Sequence, residues 1–100
     1  ETHDWMFHEH MKTPAPVAMA VYSDYLMGDY TGVLKDVSVP SLTIYGDSKY
    51  LCFGSETGRY VADQIPDCRL EVLDQSGHMP FYEQPEKFNN ILADLVSRCN

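Results

Sequence analysis

The clearest apolar rhythm in this chain is the last one. Phe88, Ile91, Leu92, Leu95 and Val96 recur at i, i+3, i+4, i+7 and i+8 behind Pro85, which predicts an amphipathic helix with one apolar face. Two shorter runs follow a different rule. Ser41-Leu42-Thr43-Ile44-Tyr45 and Arg69-Leu70-Glu71-Val72-Leu73 are short and rich in branched residues, the first stopped by Gly46, and they predict strands. Between them, residues 55–64 predict a helix with Tyr60, Val61 and Ile65 on one side, ended by Pro66 in spite of Gly58. Upstream, Val17, Ala18, Val21, Tyr22 and Tyr25 recur at helical spacing, with Thr13-Pro14 as cap and first position and Gly28 as terminator. The Met and Tyr residues of that helix (Met19, Tyr22, Tyr25, Met27) form a stripe whose simplest role is core. Residues 1–13 are polar, aromatic and aperiodic, and predict loop or broken helix. Residues 29–38 predict a connection.

The predicted order is therefore helix, strand, helix, strand, helix. A strand–helix–strand unit of this length predicts a right-handed crossover joining parallel strands. Two parallel strands cannot cover themselves, since parallel sheets are buried on both faces. The expected architecture is the C-terminal part of a doubly wound, mostly parallel α/β sheet, the remaining strands coming from elsewhere. The chain begins at Glu1 rather than Met, which fits the expectation that it is a piece of a longer protein.

Charge narrows the field. Fifteen acidic against seven basic residues give a net charge of −8, a poor match to nucleic acid or anionic membrane. No apolar run approaches the roughly 20 residues of a membrane helix. Cys52, Cys68 and Cys99 are odd in number and lack a C-x-x-C, so free thiols in a reducing, cytoplasmic setting are expected.

The richest stretch for chemistry is Gln75-Ser76-Gly77-His78-Met79-Pro80. It puts a histidine on a glycine-hinged loop at the carboxyl end of a predicted strand, where ligands bind in open α/β sheets. Two roles fit His78: a general base near neutral pH, or a loop residue capping the next helix. Met79 and Phe81 beside it either border a pocket or, with Tyr82, pack under the last helix. His3, His8 and His10 with Asp4 and Glu9 form a second cluster, but no strand signal supports the extended geometry His8-x-His10 needs for a metal, and none is assigned.

Taken together, Val39-Pro40-Ser41-Leu42-Thr43-Ile44-Tyr45-Gly46-Asp47, Ile65-Pro66, Gly77-His78-Met79-Pro80 and Glu83-Gln84-Pro85-Glu86-Lys87-Phe88-Asn89 resemble the C-terminal third of α/β-hydrolase enzymes. The resemblance covers roughly residues 30–98 and implies that residues 1–28 end a cap or lid and that 29–100 belong to the hydrolase core. Such enzymes carry serine, acid and histidine in that chain order, the serine in a G-x-S-x-G turn. Ser23, Ser38, Ser41, Ser48, Ser55, Ser76 and Ser97 all lack the flanking glycines, so the nucleophile and oxyanion hole are expected in an N-terminal part of the same protein. His78 matches the family's histidine, which takes the serine proton and returns it to the leaving group. The acid position, three residues after Gly46, holds Lys49. An ammonium only donates hydrogen bonds and disfavours a charged imidazole nearby. Asp47 is a substitute acid or simply a turn residue, and Glu56 is a remoter candidate.

The segment from Tyr45 through Cys52 to Gly58, with His3-Asp4-Trp5-Met6-Phe7, is similar to the α/β-hydrolase type of N-acyl homoserine lactonase, which opens the lactone of quorum-sensing signals. That likeness implies an acyl chain lying against Trp5, Met6, Phe7, Tyr22 and Met79. The implied function is a serine hydrolase of a small-molecule ester or lactone that needs no cofactor. Lys49 motivates the alternative: a catalytically dead relative that binds a small molecule or signals.

Overall fold

The computed structural model describes residues 1–50 and 53–99; Cys52 lies outside the described residues. The chain divides into two compact units, Glu1–Tyr30 and Thr31–Asn100.

The first unit holds helices α1 (Thr2–Met11) and α2 (Ala15–Met27). Of the two readings expected over residues 1–13, loop or broken helix, the structure has an unbroken helix over most of the segment. Its supports are local and carry no hydrophobic period: Asp4 lies in the first turn, His8 and His10 in the last, His8 Nδ1 meets the Asp4 carbonyl oxygen at 2.7 Å, and Lys12 donates to Glu9 at 2.6 Å. Thr13 does not cap α2. Its amide donates back to His10 and closes α1, while the Pro14 carbonyl accepts the first amides of α2 from Val17 and Ala18. Pro14 is extended at ψ 136°, so the cap falls one residue later than expected. The Met and Tyr stripe is not core: Met19, Tyr22, Tyr25 and Met27 are all exposed, Met27 at 86%. Apolar residues encircle α2, and α1 alone cannot cover every side.

The second unit opens with a 3₁₀ helix, Thr31–Asp36, inside the expected connection. Strand β1 (Ser41–Gly46), helix α3 (Ser55–Gln64), strand β2 (Cys68–Leu73), the short helix α4 (Pro80–Glu83) and helix α5 (Pro85–Cys99) follow. The two strands pair in parallel from Ser41↔Cys68 to Gly46↔Leu73, as the strand–helix–strand order requires. Residues 43 and 45 share a face with 70 and 72 through this register. Gly58 of α3 lies against that face so closely that a Cβ there would sit 2.6 Å from the Tyr45 ring and 2.9 Å from Leu70. A glycine that weakens an isolated helix here lets it approach the sheet. Arg69 and Glu71 point to the opposite face, where Arg69 Nη1 meets Asp94 of α5 at 2.6 Å. Helices therefore flank both faces.

The core is small. Leu73 is fully buried, Ala62 nearly so, and most strand residues are only half-buried. On α5, Phe88, Ile91 and Leu95 are half-buried while Leu92 and Val96 remain exposed, so its apolar face is wider than the two strands beneath it. No described helix is long and apolar enough to cross a membrane.

Candidate active site

Parallel pairing brings the ends of β1 and β2 to one edge of the sheet, and the loops that leave them are stitched together. The Asp47 amide donates to the Leu73 carbonyl (3.1 Å) and the Ser48 amide to the Ser76 carbonyl (3.0 Å). Gly46 makes this possible, because a Cβ there would overlap the carbonyl oxygens of Ser76 and Gly77. The acid position and the histidine loop thus leave the sheet side by side.

The loop before His78 is tightly specified. Gln75 takes φ 62°, the left-handed region that a non-glycine residue enters at a cost of roughly 1–2 kcal/mol. Ser76 is fully buried, and its amide donates to Leu73 at 3.3 Å. Its hydroxyl accepts from Gln84 Nε2, which also donates to the Asp74 carbonyl at 2.7 Å. The Gly77 amide donates to Glu83 Oε2 at 2.6 Å, a short charge-assisted bond. Lys87 Nζ closes the set on Asp74 Oδ1 at 2.7 Å. That hydrogen bond, with the attraction of the ammonium, holds the Asp74 carboxyl below its ordinary range. On the far side of the histidine, the Met79 carbonyl accepts from the amides of Tyr82 and Glu83 (both 2.9 Å), starting α4.

His78 itself is exposed, and nothing among the described residues hydrogen-bonds its ring. Its backbone is fixed on both sides while its imidazole stays available. Lys49 stands on the exposed turn after β1 with its ammonium over the Tyr50 ring, 5.1 Å from the centroid. Asp47 Oδ1 accepts from Ser55 Oγ at 3.2 Å, which ties the β1–α3 loop to the start of α3. Glu56 is exposed in the first turn of α3. Met79 is half-buried beside His78, and Phe81 meets Phe88 edge-on at 6.0 Å, under the last helix.

The remaining candidates lie in the first unit. Trp5 and Phe7 are exposed and Met6 is half-buried. Tyr22 stacks on Tyr25 at 6.2 Å and with it lines an apolar groove of about 360 Å³ that His10 and Val21 also border. No three His, Cys, Asp or Glu side chains among the described residues gather as a metal site, and Cys68 and Cys99 are free thiols.

Glu83, Gln84 and Ser76 match no catalytic pattern in the sequence, and Ser76 stands out there only as a serine without flanking glycines. The usable signal was spacing: an amide and a carboxylate just ahead of Pro85, where the chain must leave the helix, facing a loop with many unpaired backbone groups.

A histidine held by its backbone at the carboxyl edge of a parallel sheet defines an α/β protein with a strand-end site. No family model matches the chain. It is 30% identical over 69 residues to a proline iminopeptidase from Heyndrickxia coagulans, covering 69% of this chain and 23% of that protein. It is 30% identical over 84 residues to a pimeloyl-[acyl-carrier protein] methyl ester esterase from Nitrosospira multiformis, covering 83% of this chain and 30% of the esterase. The crystal structure of VinJ matches with a TM-score of 0.61 at 30% identity, over 70% of this chain and 23% of VinJ. The chain belongs to the α/β-hydrolase superfamily and matches the C-terminal part of that fold. It spans between 23% and 30% of the length of these relatives.

Proposed function

We propose that this chain is the histidine-bearing part of a hydrolase acting on a carbonyl substrate, most simply a small-molecule ester. The observation that carries the reading is the fixed backbone around an unengaged His78 at the edge where β1 and β2 end together. A serine supplied by an N-terminal part of the same protein attacks the carbonyl carbon and gives its proton to the imidazole. The histidine passes that proton to the leaving alkoxide, and water then clears the acyl-enzyme by the same route in reverse. Residues 1–28 are, on the resemblance, the end of a cap whose apolar substrate contacts are Trp5, Met6 and Tyr22; Met79, in the second unit, is the half-buried apolar neighbour of His78. The relatives named above are a peptidase and a methyl ester esterase, which supports acyl chemistry in general. A lactone, including an N-acyl homoserine lactone, is the cyclic case of the same reaction and rests on resemblance alone.

Lys49 favours a second reading, a binding relative whose triad no longer turns over. An ammonium cannot accept the Nδ1 proton or stabilise the imidazolium. Hydrolysis of p-nitrophenyl esters and acyl homoserine lactones by the intact protein, wild type against Lys49→Glu, separates the two. The hydrolase reading expects a rise in kcat on the order of 10³–10⁴-fold, the usual worth of a triad acid. Equal and negligible rates from two folded proteins would leave the binding relative.

A further inference from the structure

We infer that Glu83 and Gln84 are positioning residues for His78, clamping the loop that presents it. For its kinetic consequences the inference rests on the hydrolase reading; for its structural content it does not. Between the end of β2 and His78 lie only residues 74–77, and three of those four are held from the α4–α5 junction. Gln84 donates to the Asp74 carbonyl and to buried Ser76 Oγ, Glu83 accepts the Gly77 amide at 2.6 Å, and Lys87 holds the Asp74 carboxylate at 2.7 Å. The fourth, Gln75, carries the left-handed backbone conformation, which persists only where its surroundings over-determine it. Gly77 belongs to the same device: a Cβ there would lie 3.0 Å from Glu83 Oε1 and press on the carboxylate. Glu83 also donates its own amide to Met79, so one residue fixes the chain on both sides of His78.

Such a clamp sets where the imidazole stands, and its loss acts on the reacting geometry more than on substrate affinity. Misplacing a reacting group by about 1 Å costs on the order of 10²-fold in rate. The test compares Glu83→Gln, which keeps an acceptor oxygen, with Glu83→Ala, which does not. In the intact protein the Gly77 amide is expected to be protected from hydrogen exchange, to stay protected in Glu83→Gln, and to lose at least tenfold in Glu83→Ala. In the ester assay, on whichever form turns over, Glu83→Ala is expected to lower kcat on the order of 10²-fold at unchanged KM, with Glu83→Gln restoring most of it. A Gly77 amide that exchanges freely in the wild type overturns the clamp without any variant being made. Equal exchange and equal kcat for folded Glu83→Ala and wild type overturn it as well. A protein that hydrolyses nothing yet keeps the Gly77 pattern refutes the hydrolase reading and upholds the clamp.

Discussion

Helices α2 and α5 are similar in length, 13 and 15 residues, and both carry enough apolar surface to pack, yet they end in different situations. On α5 the apolar residues fall on one side, and Phe88, Ile91 and Leu95 find partial cover in the second unit. On α2 they fall on every side, and only Ala18 is even half-buried. A helix that is apolar all round is stable only when surrounded, and the first unit offers it one neighbour. The second unit, by contrast, buries Gly46, Leu73, Ser76 and Pro80 at the end of the sheet where His78 emerges, and Gly58 and Ala62 where α3 meets the sheet. The described residues of 1–30 include none that is buried, whereas the second unit buries groups both at the end of its sheet and where α3 meets it.

The sharpest way to break that contrast is to hollow the ordered end. Leu73→Ala removes the one large side chain that is fully buried among the described residues and is expected to cost about 3 kcal/mol, read as a fall in the urea midpoint at constant slope. Gly46→Ala forces a Cβ against the Ser76 and Gly77 carbonyls, which are backbone and cannot swing aside; about 2 kcal/mol is expected, with broadening of the His78 resonances. In the other unit Met27→Gln changes a side chain that is 86% exposed, and its expected effect on the same midpoint is within about 0.5 kcal/mol. A large loss there would mean that α2 is covered in solution.

The smallest effect concerns pH. The folded Asp74 carboxyl is held below its ordinary value by Lys87, so its contribution is fully present above the ordinary carboxylate range. It is lost as pH falls through the lowered folded value. The midpoint difference between wild type and Lys87→Met should therefore be constant near neutrality and close in acid. Both partners are exposed, so added salt should shrink it too.

Much of the second unit was legible because its residues obey one rule at a time. Short branched runs gave β1, stopped by Gly46, and β2, Pro66 marked the end of α3, and the period of 88–96 gave α5. Helix α1 was not, because caps and pairs within one turn hold it and these leave no apolar rhythm. At the site, the placement of residue 78 after a strand could be read, since it depends on local order alone. The stitching of Ser48 to Ser76 could not: it depends on the register Gly46↔Leu73, which brings distant backbone groups within bonding distance. The bonds of Glu83 and Gln84 to the loop span only six to ten residues, but they need the chain to fold back on itself through the left-handed turn at Gln75.

The account stands on His78 acting as the proton carrier, and one comparison tests that directly: ester hydrolysis by the intact protein as Lys49→Glu against Lys49→Glu/His78→Ala. The account predicts a fall in kcat of at least about 10³-fold with the protein still folded. Equal turnover by the two would show that the histidine at the end of β2 carries no proton in the reaction.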